Sequence, residues 1–255
     1  MTKAIITTIS DRLDPGYSRK SEFDLFFNSL PRGADLIVFT DGLNRSVPGA
    51  RVLQCPPMQK LILERWYYYY LFLCTAPYSH VLLTDSRDVY MQGDPFDFAT
   101  DKVLLCGEGF THAQNSWNME DQAAAQRARG LSDDYRAWPV VNGGIVLGPA
   151  EKVRELCLLM YTFVMHNTDH TDQAGLGILY NTYLRHHPDY ALSDPGRDAF
   201  CITGQAVKQG ALAFEPRFLD GAVRTAHGEP YRLFHQWERT TFADGIRHSY
   251  NSPHA

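Results

Sequence analysis

The run Val81-Leu82-Leu83-Thr84-Asp85-Ser86-Arg87-Asp88-Val89-Tyr90-Met91-Gln92-Gly93-Asp94-Pro95-Phe96 places two carboxylates where an apolar stretch gives way to a polar turn. A short aliphatic run of this kind reads as a buried strand of a parallel sheet, closed by turn-forming residues. Two carboxylates released at its end suit a hard divalent cation and, through it, a diphosphate. Side chains two apart on a strand share a face and side chains three apart do not. Asp85 and Asp88 therefore converge only if the chain bends at Ser86-Arg87. An ordinary turn serves the same spacing equally well, with Arg87 pairing one aspartate while the other caps the turn.

Working outward, Ala4 to Ile9 and Asp35 to Thr40 are runs of the same kind, and helical stretches at Ser21 to Ser29 and Met58 to Cys74 separate the three expected strands. Strand, helix, strand, helix, strand indicates right-handed crossovers and a doubly wound half. Ligands of such sheets bind beyond the carboxyl ends of the strands, where Thr7-Thr8-Ile9-Ser10 and Asp85 to Asp88 both emerge. A fourth strand, Val103 to Cys106, leads into an excursion over Gly107 to Pro139 with an Ala-rich helix at Asp121 to Arg129. Val140 to Gly148 returns to strand character around a Gly pair, which marks either close approach of a ligand or a bulge. Pro149 opens a helix to about His166. Thr171-Asp172-Gln173 starts another, capped by Thr171 or Asp172. Beyond Ala191 come more turns, short strands at Ala211 to Phe214 and Tyr231 to Phe234, and a polar tail over 241–255.

The chain of 255 residues suits one α/β domain carrying an excursion. Its 24 Lys+Arg against 29 Asp+Glu give a formal charge of -5, so no basic surface is available to bind nucleic acid by neutralising phosphates. Five cysteines without a CxxC pair read as reduced core thiols. Met1 to Ile9 reads as a first strand rather than a signal peptide, so the expected location is cytoplasmic. The most apolar stretch, Tyr67 to Ala76, is about half the length that spans a bilayer, and no transmembrane segment is expected.

The ordered set of Val81 to Val89, Asp94-Pro95-Phe96, Asn142-Gly143-Gly144, Asp172-Gln173 and His235-Gln236 resembles nucleotide-sugar glycosyltransferases of the GT-A fold. It is nearest to retaining enzymes such as those of glycosyltransferase family 8. The resemblance runs from Ala4 to about Arg239. It implies a GT-A-like, Rossmann-like, mostly parallel central sheet flanked by helices in a single domain. The nucleotide-binding half would span about 1–100 and the acceptor-side half about 101–240.

It further implies a divalent metal, Mn²⁺ or Mg²⁺, joining the chain to the diphosphate of a nucleotide sugar, with a UDP-sugar as donor and a glycan or other hydroxyl-bearing acceptor. The family signature is DxD, whereas this chain has Asp85-Ser86-Arg87-Asp88. Asp88 carries over as a ligand because Val89 and Asp94-Pro95-Phe96 follow it as in the relatives. Asp85 then shares the metal or binds the ribose. His235 matches a late metal-binding histidine, with His227 as its substitute. Thr7, Thr8 and Ser10 would face base and ribose. Arg65 would lie over the diphosphate, and Ser86, Arg87 and Arg239 would add donor contacts, with Arg12, Arg19 and Lys208 as further charges. Asn142, Gly143 and Gly144 would meet the donor sugar, and Asp172 and Gln173 the sugar and the reaction face. Retention is the favoured outcome. Glu108, Glu120 and Asp121 are the carboxylates available as a base, and Trp117, Trp138 and Trp237 offer flat faces to a sugar.

Each of these residues also has a plain structural reading: a capped turn, an exposed helical arginine, a histidine bonded at a strand end. Two rival functions remain open. A nucleotidyl or phosphoryl transferase would want a Gly-rich, Lys-bearing phosphate loop after the first strand, which Ile9-Ser10-Asp11-Arg12 is not. A glycan- or nucleotide-binding module without turnover would keep the same residues.

Overall fold

The computed structural model describes residues 2–16, 21–43, 46–131, 134–164 and 170–251. Arg19, and the stretch up to His166 expected to end the fourth helix, lie outside them. The described residues form one mixed α/β domain around a seven-stranded sheet. Its strands are β1 (Lys3–Ser10), β2 (Asp35–Gly42), β3 (Ala50–Gln54), β4 (His80–Thr84), β6 (Val103–Thr111), β7 (Pro139–Pro149) and β8 (Tyr190–Ser193). A separate strand, β5 (Val89–Met91), follows β4 but leaves this sheet. The spatial order is β3-β2-β1-β4-β7-β6-β8, parallel throughout except for β7, which runs against both neighbours.

Adjacent residues of each buried strand point to opposite faces, and the core divides accordingly. Ile6, Ile37, Val81 and Val146 pack under α2 (Leu61–Leu73), α4 (Ala150–Val164) and α5 (Asp172–Thr182). Ile5, Leu82 and Leu147 meet α1 (Ser21–Asn28), through Phe23 and Phe26, on the other face. The excursion folds as α3 (Ser116–Arg127), which lies against α5.

A second, three-stranded sheet of order β5-β12-β9 is built from β5, β9 (Cys201–Thr203) and β12 (Leu233–His235). Behind it sit Trp237 and Ile246, the latter from α7 (Ala243–Asn251), next to α6 (Gly204–Lys208) and a hairpin of β10 (Arg217–Leu219) and β11 (Ala222–Arg224).

The expected tail over 241–255 is thus helical up to Asn251, because Ala243 and Ile246 bury against the small sheet. Ala211 to Phe214 is a bend rather than a strand. The second expected helix begins at Leu61 instead of Met58, where Glu64 accepts the backbone N–H groups of Gln59 and Lys60. All five cysteines are free thiols. No helix among the described residues is long and apolar enough to cross a membrane.

Candidate metal centre and its two clefts

The ladder of β4 continues one residue past its last strand position, since Asp85 N–H donates to Gly144 O at 2.9 Å. The chain then bends over Ser86 to Asp88 and enters β5, in the other sheet. β5 pairs antiparallel with β12 and sets Val89 opposite His235. Gln236, in the left-handed region at φ 58°, donates its N–H to Asp88 O at 2.6 Å. Asp85 therefore belongs to the large sheet, while Asp88 and His235 are tied together by the small one.

One ligand atom from each of Asp85, Asp88 and His235 lies within 4.8 Å of the others. His235 Nε2 stands 3.3 Å from Asp88 Oδ1 and 3.4 Å from Asp85 Oδ2. Its other nitrogen, Nδ1, is 3.0 Å from Asn142 Oδ1, and Asn142 Nδ2 donates to Glu108 Oε1 at 2.8 Å. Since that amide oxygen can only accept, Nδ1 carries a hydrogen, and Nε2 is the nitrogen that faces the carboxylates, donating to them while the ring is protonated and free to ligate a cation once it is not. These three residues are close enough to hold a metal ion, and two carboxylates with one imidazole fit the preferences of Mn²⁺ and similar cations. Gly144 makes the convergence possible. A Cβ there would lie 2.6 Å from His235 Cε1 and 2.9 Å from the Asp85 carboxylate carbon.

Behind the trio, α2 presents the buried Arg65. Its guanidinium pairs with Asp85 and with Asp172, reached at 2.6 Å, and donates to Gly143 O at 2.9 Å. Trp66 Nε1 adds a bond to Asp172 at 3.0 Å. The two carboxylates share one cation but titrate in opposite directions. Burial disfavours the Asp85 anion, yet Arg65 and His235 together outweigh burial and hold it well below the usual range. For Asp172 burial prevails over Arg65 and raises the pKa. Burial likewise opposes charge on His235, but Asp88 and Asp85 win and hold the imidazole well above its ordinary value.

Two clefts open beside the trio. The first, of about 350 Å³, is lined by Thr8, Ser10, Ile62, Arg65 and the run Asp85 to Asp88. Thr8 Oγ1 donates to Tyr69 OH at 2.8 Å, the phenol itself lying buried in the core behind this wall. Ser10 is bonded to Asp41, which also takes Arg12 Nε at 3.0 Å and Met58 N at 2.8 Å. The second, of about 290 Å³, is lined by Glu108, Trp117, Gln173, Gln205, Gln236 and Arg239 among others.

The sequence-derived residues thus separate into groups. Asp85, Asp88, His235 and Gly144 meet at one point. Thr8, Ser10, Arg65, Ser86 and Arg87 border the first cleft, and Gln173 and Arg239 the second. Thr7, Asn142 and Asp172 are fully or almost fully buried and line neither cleft, against the expected ligand contacts. Asn142 uses its amide on His235, Glu108 and Gly144 N–H rather than leaving it open. Thr171, not Asp172, caps α5, and Asp121 receives the Thr171 N–H at 3.0 Å. Arg65, not Arg87, pairs with Asp85. His227 lies in an exposed turn beside Thr225, outside the trio. Trp138 and Trp237 pack in cores, and Trp117 alone of the three is mostly exposed.

The bulge reading of the Gly pair also holds. On the β6 side the pairing jumps from Leu105↔Val146 to Cys106↔Asn142, leaving three β7 residues without a partner there. The sequence reading misses Trp66, Asn118 and Gln205. Trp66 had a signal in its position beside Arg65 on an apolar helix, whereas Asn118 and Gln205 had none. Neither the protein-family models nor the curated proteins compared with the chain match it.

Proposed function

We propose that the protein is a metal-dependent glycosyltransferase that moves a sugar from a nucleotide diphosphate donor, best a UDP-sugar, to a hydroxyl acceptor. The observation that carries the reading is the convergence of Asp85, Asp88 and His235 at the carboxyl edge of a mostly parallel sheet, with a cleft on either side. This is the crevice in which α/β sheets bind nucleotides. The GT-A resemblance of the same residues adds to it.

When bound, a cation such as Mn²⁺ supplies Lewis-acid stabilisation of the departing nucleoside diphosphate. Asp85, Asp88 and His235 would hold it. Arg65 keeps Asp85 ionised and fixes its direction, while Asn142 fixes the His235 tautomer. The cleft bearing Thr8 and Ser10 offers hydroxyls to a ribose and base. Gln173 Nε2 donates to Asn118 Oδ1 at 2.8 Å and to Glu108 Oε1 at 3.4 Å, which holds its amide at the wall of the second cleft. A neutral amide beside the reaction face suits stabilisation of a sugar cation, and with it front-face attack and retention.

The test is a donor screen that follows nucleotide release with and without Mn²⁺ and EDTA, on wild type and Asp88→Ala. Release that requires Mn²⁺ and fails in the variant supports the reading. Turnover indifferent to both chelator and substitution sinks the metal role. Donor binding without hydrolysis or transfer across an acceptor panel points instead to a binding module.

A further inference from the structure

The second cleft has a chemical character of its own. None of the trio lines it, yet Gln236 follows His235 directly and Gln173 follows Asp172. Its wall is made of amides, one carboxyl and one guanidinium, so nearly every lining group can both orient and hydrogen-bond a neutral polyol. Trp117 at its rim is 54% exposed, an unusual state for so large an apolar face. Its floor holds Glu108, only 1% exposed, whose Oε1 is taken by Asn142 and Gln173 while Oε2 is buried without a partner among the described residues. A buried carboxyl oxygen left unpaired is costly unless a ligand hydroxyl completes it.

We infer that this cleft is a saccharide subsite, in which one sugar ring stacks on Trp117 while its hydroxyls bridge Glu108, Gln205, Gln236 and Arg239. The ring is neutral. A phosphate or other anion would set its charge against the Glu108 carboxyl, whereas vicinal hydroxyls satisfy amide, carboxyl and guanidinium groups in pairs. The sugar belongs to the acceptor, an assignment that rests on the glycosyltransferase reading. The rim beyond Trp117 and Arg239 is open to solvent, so a longer glycan can continue outward, while a donor sugar has to stay bonded to a diphosphate at the trio. The acceptor class is thereby a glycan or glycoside rather than a bare protein side chain.

The experiment is saturation-transfer-difference NMR with a panel of neutral methyl glycosides and short oligosaccharides on the full chain. Tryptophan fluorescence then gives affinities for the wild type, Trp117→Ala and Gln205→Ala. UDP binding with Mn²⁺ is measured in parallel. We expect at least one saccharide to bind, with affinity falling about tenfold in Trp117→Ala and UDP binding unchanged. Trp117 is exposed and Gln205 half-buried, and a native circular dichroism spectrum certifies both folds. No binding across the panel, or binding indifferent to both substitutions, overturns the subsite even if UDP still binds. Saccharide binding without UDP binding keeps the subsite and removes the glycosyltransferase reading. Displacement of the bound saccharide by a UDP-sugar but not by UDP assigns the cleft to the donor and overturns the acceptor role.

Discussion

The two sheets of this protein meet at one point and are made in opposite ways. The large sheet is built from strands of four to eleven residues, as in β8 and β7, and its central ones are aliphatic on both faces. Each could fold against helices wherever it occurred. The small sheet consists of three strands of three residues each, β5, β9 and β12. None of these could stand alone, and they are held by what lies behind them, Trp237 and Ile246, against which Phe234 of β12 packs. The candidate metal trio takes Asp85 from the first sheet and Asp88 with His235 from the second. The difference teaches that the strong sheet fixes where the site is, while the weak one completes it.

The comparison breaks most severely at Arg65. Arg65→Ala leaves Asp85 and Asp172 without their shared partner, and removing one side of a buried ion pair costs about 3–5 kcal/mol. Urea denaturation followed by circular dichroism should show that loss, and Arg65→Lys should recover only part of it because an ammonium cannot span both carboxylates and Gly143 O.

A second break is at the junction. Gly144→Ala drives a methyl group against His235 and Asp85, with a stability loss of about 1–3 kcal/mol. The sharper readout is Mn²⁺ titration by calorimetry, where binding should disappear in this variant. Retained affinity would mean that the trio is not the metal site.

The small sheet alone is tested at Gln92. Its side chain takes Val223 N–H at 2.6 Å and donates to Tyr231 O at 2.9 Å, binding the β10-β11 hairpin to the end of β5. Gln92→Ala should cost about 1–2 kcal/mol. Hydrogen exchange should accelerate across β10, β11 and β12 while β1 and β4 keep their protection.

The smallest expected effect concerns pH. His235 is held above its ordinary value by Asp88 and Asp85. Because the folded pKa exceeds the unfolded one, the stabilisation is complete below about pH 6.5 and is lost as pH rises through the folded value. The metal-free protein should melt at a lower temperature at pH 9 than at pH 6.5, and His235→Gln should flatten that slope. A wild-type melting curve that rises across this range would contradict the pairing.

Legibility in the sequence follows the same division. β1, β2, β4 and β7 are readable because aliphatic runs buried on both faces leave little else for the residues to do. Asp85, Asp88 and the bend between them are readable because a spacing of three on a strand admits no other convergence. β9 and the helix α7 are not, since Cys201 to Thr203 and Ala243 to Asn251 owe their structure to partners far away in the chain. The roles of Asn142 and Asp172 were equally hidden. Their residue types suggest ligand contact, and only three-dimensional packing shows that one serves His235 and the other Arg65. Glu108 stood out as a carboxylate, but its unpaired oxygen is a property of burial and not of sequence.

The three β7 residues that find no partner on β6 carry one more implication. Main-chain groups that a regular ladder would have joined to a neighbouring strand are joined here to side chains beside the trio. Gly143 O receives Arg65, and Gly144 N–H is received by Asn142. The side chains that shape the site are thereby also the ones that complete the interior of the sheet. Neither Arg65 nor Asn142 can be discarded freely, because each loss would leave a peptide group unsatisfied within the fold. A descendant of this chain whose trio had changed would therefore be expected to keep both residues.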